Sequence, residues 1–259
     1  PREWARGWKE IMLPLIILTG PTGSGKSETA LALARKLDTE IISADSLQVY
    51  RFFDIGTAKP SLSVREEIPH HLIDILDPDE EFNAFNFKTR ALKIIRELID
   101  RDKIPILVGG TGLYLKVLTE DYDCAEGASP EIREKIRQDI CEQGVEKVYL
   151  ELQRVDPEYA AKISETDSLR IERALGVYLD TGKRFSEFHD VDSPDSGRFP
   201  IHTFIIERER SELYSQIDQR VDKMIEQGLA NEVKNILDRG YSPELKPCKS
   251  IGYAQMVQY

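Results

Sequence analysis

An α/β fold, a parallel sheet flanked by helices and carrying a helical insertion domain, is predicted for this 259-residue chain by three features. Short apolar runs alternate with stretches of helical periodicity. Two of the runs end at glycines. Strand character then disappears after Leu118 and returns only at Ile201. Alternating strands and helices imply βαβ units, whose sheet is parallel and covered on both faces.

Leu15 to Thr19 is a continuous branched run ending at Gly20, and Glu28 to Leu37 then sets Leu31, Ala34 and Leu37 on one helical face. Glu40 to Ser43 reads as a second buried strand. Phe85 to Asp100 has helical spacing, and Pro105 to Val108 is a third strand before Gly109 and Gly110. Pro130 to Glu142, Glu146 to Gln153 and Leu169 to Leu179 read as charged amphipathic helices. A polar stretch, Asp190 to Arg198, precedes Ile201 to Ile206, a strand expected to return to the sheet. Ser211 to Arg239 is helical with a break at Gly228. The expected domains are residues 1–122 with 201–259 as the α/β core, and 123–200 as the insertion.

Composition is globular, at 41% hydrophobic and 31% charged. A net charge of -11 excludes a surface that is basic all over, yet leaves room for a local basic stripe. Cys124, Cys141 and Cys248 form no CxxC pair, so neither a zinc site nor a disulfide framework is expected. The longest apolar run, Leu13 to Leu18, contains Pro14 and falls far short of the ~20 residues of a membrane span. Pro1 to Glu10 lacks the apolar core of a signal peptide. A cytoplasmic chain with no membrane partner is the expectation.

Gly20-Pro21-Thr22-Gly23-Ser24-Gly25-Lys26-Ser27 matches GxxxxGK[ST] at every fixed position, between a strand and a helix. In such a loop, backbone N–H groups turn inward around phosphate oxygens and the helix adds its positive end. Lys26 would add a mobile cation, and the Ser27 hydroxyl would ligate Mg²⁺. The fold class is thereby a P-loop NTPase-like, nucleotide-binding one. The loop alone does not name the reaction: kinases and ATPases break a P–O bond, but the same cradle stabilises diphosphate leaving from carbon.

Further strings follow in order. They are Ser43-Ala44-Asp45-Ser46-Leu47-Gln48-Val49-Tyr50, Asp54-Ile55-Gly56-Thr57-Ala58-Lys59-Pro60, Pro69-His70-His71-Leu72-Ile73-Asp74 and Gly109-Gly110-Thr111-Gly112-Leu113-Tyr114. Asp167 to Leu175, Arg210 to Tyr214 and Ile251-Gly252-Tyr253 complete the set. As an ordered series behind the phosphate loop, these closely resemble the tRNA dimethylallyltransferase, or tRNA isopentenyltransferase, family, over nearly the whole chain from Leu15.

The resemblance implies transfer of a dimethylallyl group from dimethylallyl diphosphate to N6 of adenosine 37, beside the anticodon of tRNA. It also implies Mg²⁺ and a channel through the P-loop domain. Carried over by motif, Gly20, Pro21, Thr22, Gly23, Ser24, Gly25, Lys26, Ser27 and Arg210 hold the diphosphate, with Thr22, Lys26 and Asp45 catalytic. Asp45, Ser46, Leu47, Gln48 and Thr111 meet the base and its neighbours. Arg133, Leu169, Arg170, Ile171, Glu172 and Arg173 fall where the family contacts tRNA, as do Lys249, Ser250, Ile251, Gly252, Tyr253 and Ala254. Leu47, Phe52-Phe53, Thr166, Gln216 and Ala254 depart from residues frequent in relatives, which usually continue with further helices beyond the position of Tyr259.

The residue chemistry runs parallel. An adenine N6 amine is a poor nucleophile, so a carboxylate accepting its proton lowers the barrier, and Asp45 is the candidate. Lys26, Mg²⁺ and backbone N–H groups face the charge that accumulates on diphosphate. The base must be extruded from its stack, and Gln48 has the amide to read an adenine edge. Against these stand plainer roles: Asp45 as cap of a following helix, His70 and His71 as partners of loop carbonyls, Arg170 and Arg173 as a solvated stripe, and Phe185, Phe188, Tyr149 and Tyr178 as insertion core. A small-molecule kinase, an adenylate isopentenyltransferase and an inactive RNA-binding module are the rival functions. A monomer is expected.

Overall fold

The computed structural model describes residues 13–120, 125–188 and 199–259. Among the described residues five strands, all parallel, form one sheet in the order β3-β2-β4-β1-β5, with β1 at Leu15–Thr19, β2 at Ile41–Ser43, β3 at His70–His71, β4 at Ile106–Val108 and β5 at Ile201–Ile205. β1 lies between β4, in the register Ile17 to Leu107, and β5, in the register Ile17 to Thr203. The runs are apolar because the inner strands are buried, with Leu15, Ile17, Ile42, Ile106 and Leu107 fully enclosed.

Helix α1, Lys26–Leu37, buries Ala30 and Ala34 against Leu18, Ile41, Ile106 and Val108. Small residues on that face let the helix approach the sheet closely. Helix α2 is Leu62–Glu67, capped by Ser61. Helix α3, Ala84–Asp100, buries Phe87, Ala91, Ile95 and Leu98 at the helical repeat, and α4 is Gly112–Thr119.

Two compact units emerge, one holding residues 13–83, 87–115 and 199–259, the other 84–86, 116–120 and 125–188 of those described. The main stretch of the second begins at Lys116, where the sequence placed a boundary at Asp123. Asp123, Cys124, Pro1 to Glu10 and the Asp190 to Arg198 stretch lie outside the described residues.

The second unit is helical: α5 Pro130–Gln143, α6 Val145–Val155, α7 Pro157–Ala160, α8 Ser168–Thr181 and a short 3₁₀ turn, Phe185–Phe188. Ser129, Asp156 and Asp167 cap α5, α7 and α8. Its core joins Ile136, Val148, Leu152, Ile171, Leu175 and Phe185, with Tyr149 and Phe188 packed against it. Those aromatic residues are therefore core, as the plainer reading held. In the first unit, α9 Arg210–Glu226 and α10 Leu229–Asp238 are separated at Gly228, and α11 is Tyr253–Gln258. No helix among the described residues is long and apolar enough to cross a membrane.

The histidine pair departs from expectation. It forms the edge strand β3, too short to leave a periodic signal, rather than a loop. Its chemistry is structural all the same: His70 Nδ1 lies 2.7 Å from the Ile68 carbonyl and His71 Nε2 lies 2.7 Å from Glu40 Oε2.

Candidate active site

The loop after β1 wraps the start of α1. Ser24 N–H donates to the Pro21 carbonyl at 3.2 Å, and the Lys26 ammonium donates to the same carbonyl at 3.1 Å. The first N–H groups of α1 have no partner within the helix, as at any helix start, and so offer donors to an anion. Ser24 is 2% exposed and its hydroxyl has no hydrogen-bond partner. An orphaned hydroxyl inside a glycine-rich loop fits a polar ligand that completes it.

Helix α9 lies over this loop: a side-chain carbon at Gly23 would sit 3.3 Å from Ile217 and 3.6 Å from Gln216 and Leu213. Residues 213, 216, 217 and 220 thus share the face of α9 turned to the phosphate loop. Through it Gln216 and Arg220 reach a cavity of about 470 Å³, also lined by Thr22, Lys26, Ser27, Asp45, Gln48, Thr111 and Arg208. Arg208 Nε donates to the Ser24 carbonyl at 2.9 Å, bracing the loop.

Lys26, Arg208 and Arg220 make this cleft locally cationic on an acidic protein. Burial lowers the Lys26 ammonium below the usual lysine range, Arg220 lowers it further, and Asp45 opposes both. Burial likewise lowers Arg220, again opposed by Asp45. Burial disfavours charge on both cations and Asp45 favours it on both, so this carboxylate is coupled to each of them, in a cleft that Glu28 also lines.

Asp45 follows β2. Its Oδ1 accepts the N–H groups of Leu47, at 2.8 Å, and Gln48, at 3.2 Å. The capping role weighed against catalysis is therefore real, but it serves a turn at residues 46–49 and no helix follows. Oδ2 carries none of these bonds. Gln48 is held by Ser43 Oγ on its Oε1 and by the Thr57 carbonyl on its Nε2. A second cavity of about 170 Å³, with Ala30, Leu31, Ile41, Val64 and Val108 in its walls, also borders Lys26, Ser27, Asp45 and Gln48. Those four residues line both spaces.

The family model for IPP transferase matches residues 48–259. The chain belongs to the IPP transferase family. It is 45% identical over 246 residues to the tRNA dimethylallyltransferase of Alkaliphilus metalliredigens, covering 95% of this chain and 78% of the relative. Among solved structures, the tRNA isopentenylpyrophosphate transferase of Bacillus halodurans superposes with a TM-score of 0.63 at 35% identity, over 95% of this chain and 77% of its own. A eukaryotic dimethylallyltransferase acting on tRNA superposes with a TM-score of 0.74 at 32% identity, over 92% of this chain and 59% of its own.

As an IPP transferase, the chain gathers Thr22, Gly23, Gly25 to Ser27, Asp45 to Gln48 and Thr111 around one cleft, but not every residue carried over by motif. Arg210 turns away, its guanidinium donating to Tyr214 Oη at 2.9 and 3.0 Å. The cleft arginines are Arg208 and Arg220, which the motifs missed. The seven-residue step from Leu213 to Arg220 was visible as helical spacing, but not which face met the loop. Ile171 is fully buried in the helical unit, and the Glu172 carboxylate is taken by a two-pronged pair with Arg137 at 2.9 and 3.0 Å. The Arg173 guanidinium donates to the Ala125 carbonyl. Leu169, 75% exposed, and Arg170 are the open members of that motif. Arg133 is half-buried on α5. In the first unit Tyr253 is 1% exposed, and so a support rather than a contact surface. Lys249 pairs with Glu244 at 2.6 Å, Ser250 Oγ donates to Pro247, and Ile251 is exposed. Gly252 and Ala254 are half-buried.

Proposed function

We propose that this chain transfers a dimethylallyl group from dimethylallyl diphosphate to N6 of adenosine 37 in the anticodon loop of tRNA, as a cytoplasmic monomer. The observation that carries the reading is the juxtaposition in one cleft of a phosphate cradle with Lys26 and Arg220, a carboxylate at Asp45 and an adenine-reading amide at Gln48.

In this reading the N6 lone pair forms a bond to the allylic carbon while the carbon–oxygen bond breaks, the electron pair leaving with diphosphate. Asp45, its Oδ1 tied to two N–H groups, keeps Oδ2 to accept the N6 proton. Lys26 and Arg220 lose their mutual repulsion as the diphosphate gathers charge between them, so their stabilisation grows in the transition state. Lys26 exchanges the Pro21 carbonyl for a phosphate oxygen. The apolar walls of the second cavity would keep water from the allylic carbon.

Mg²⁺ fits the donors present: the Ser27 hydroxyl is a hard oxygen on the cleft, and Mg²⁺ completes its coordination largely with substrate phosphates and water. Bound there, it would supply charge to the diphosphate.

Mass spectrometry of tRNA incubated with the protein, Mg²⁺ and dimethylallyl diphosphate tests the reading. A five-carbon increment on one adenosine beside the anticodon is expected. An increment on free AMP alone, or phosphate transfer from ATP, would replace it with one of the rival functions.

A further inference from the structure

Gln48 can read a base only if the two ends of its amide are held the right way round. Ser43 Oγ, 3.0 Å from Gln48 Oε1, cannot decide this, because a hydroxyl both donates and accepts. The Thr57 carbonyl, 3.2 Å from Gln48 Nε2, decides it: a carbonyl only accepts, so the NH₂ end must face it. The orientation of Gln48 is thus inherited from Thr57.

Thr57 sits in a tight turn. Its hydroxyl donates to the Phe53 carbonyl at 2.6 Å, Ala58 N–H to Ile55 at 2.9 Å and Lys59 N–H to Asp54 at 3.0 Å. Like any helical turn, it leaves its first N–H groups without internal partners. Glu232, in the first turn of α10, supplies them from far along the chain. Its Oε2 accepts from Asp54 at 3.0 Å and Ile55 at 2.8 Å, and its Oε1 from Gly56 at 3.3 Å. Tyr253 Oη donates to Oε1 at 2.5 Å and fixes the carboxylate. The Tyr253 ring lies so close to Gly56 that a side-chain carbon there would be 2.4 Å from it. The other end of the turn is pinned by Lys59, whose ammonium bonds the Tyr50 carbonyl, Asp54 and Asp74.

Resting on the tRNA prenyl transfer proposed above, we propose that Glu232, oriented by Tyr253, is a positioning residue for acceptor recognition. Through the 54–59 turn it fixes the Thr57 carbonyl, and through that the Gln48 amide. The second N–H of Gln48 and a free lone pair on Oε1 then form the donor–acceptor pair that matches an adenine edge, whereas a loosened turn lets the amide flip to the mismatched order. This gives Tyr253 a function that its burial allows.

The test is a cycle on the full chain: wild type, Glu232→Ala, Gln48→Ala, the double variant, and Tyr253→Phe, which removes only the orienting hydroxyl. Each is measured for prenyl transfer to tRNA, affinity for inorganic diphosphate and Tm. Gln48→Ala and Glu232→Ala should each lower kcat/KM by roughly 10- to 100-fold. The double variant should fall within about threefold of the worse single, since both remove one contact. Diphosphate affinity should hold. Tyr253→Phe should lose activity in the same direction, and it carries the test if Glu232→Ala does not fold. Losses that multiply in the double variant, or full activity in Tyr253→Phe and Glu232→Ala, would overturn the proposal. A wild type that prenylates no tRNA would remove the function beneath it as well.

Discussion

Replacing Asp45 by Asn separates two jobs that the structure gives to one side chain. Asn keeps an oxygen for the Leu47 and Gln48 N–H groups, so the turn at residues 46–49 should survive. Exchanging two charge-assisted bonds for neutral ones costs about 1–2 kcal/mol of stability at most. Asp45→Ala leaves both N–H groups to water and should cost about the same as a lost cap, ~1–2 kcal/mol, without any oxygen in the cleft. The chemical step is a larger matter. A general base is worth roughly 10²–10⁴ in rate, or about 3–5 kcal/mol, and both variants should lose it. Removing the Asp45 carboxylate, which is coupled to both Lys26 and Arg220, should meanwhile leave diphosphate affinity unchanged or tighter. Single-turnover transfer, diphosphate binding and tRNA binding, measured on the same preparations, resolve the three effects. A rate within about threefold of wild type in Asp45→Asn would end the case for a base at this position. So would a loss of tRNA affinity proportional to the lost rate, which would make Asp45 a recognition residue.

Lys26→Ala should lower kcat by about 10²–10³ or more with Tm unchanged, because its interaction strengthens as diphosphate departs; near-normal turnover would refute the phosphate-loop assignment. Arg170→Ala, the open arginine of α8, should flatten the log–log salt dependence of tRNA affinity by about one unit, while Arg173→Ala, losing its bond to the Ala125 carbonyl, should instead lower Tm. Asp74→Asn should abolish an acid-sensitive part of stability. Burial pushes the Asp74 carboxyl up, but bonds from Lys59 and Arg65, at 2.5 Å each, pull it further down, to a net value below the usual one. Its contribution is therefore complete above the unfolded pKa and lost as pH falls through the lower, folded one. Denaturation midpoints of wild type and variant should differ at neutral pH and converge in acid.

Much of this architecture was legible in the chain. The Leu15–Thr19 strand, the phosphate loop and α1 could be placed because a buried parallel strand, a glycine loop and a helix each leave a distinct pattern, and here they adjoin. Phe85 to Asp100 was readable because Phe87, Ala91, Ile95 and Leu98 repeat at helical spacing. What escaped was whatever tertiary pairing alone decides. β3 exists because Ile41 and Ile42 offer a ladder to His70 and His71, a fact with no local signature. Arg208 and Arg220 are ordinary arginines until β5 and α9 bring them to the loop. Conversely, matching strings cannot separate a residue that touches substrate from one that supports it, so they group Ile171, Glu172 and Tyr253 with the contacts although their side chains are buried. Nor could Arg210 be told from Arg208 by spacing alone.

The ordering of the sheet explains why the chemistry collects where it does. The residues of the cleft follow the carboxyl ends of four adjacent strands: Asp45 follows β2, Thr111 follows β4, the phosphate loop follows β1 and Arg208 follows β5. The ladder does not stop at the strand ends. Ala44 N–H reaches Val108 at 2.7 Å, Gly109 N–H reaches Leu18 at 3.2 Å, Ile206 N–H reaches Thr19 at 2.8 Å, and Thr111 N–H reaches Ala44 at 3.4 Å. Each catalytic loop therefore leaves the sheet already tied to its neighbour, so the spacing of carboxylate, ammonium and guanidinium groups follows from strand register. A slip of one residue along β2 would carry Asp45 out of step with Lys26 and turn Ser43, the partner of Gln48, to the opposite face. The buried isoleucines and leucines of β1, β2 and β4 resist that slip. The apolar core is in this sense what holds a cationic cleft in place on a protein of net charge -11.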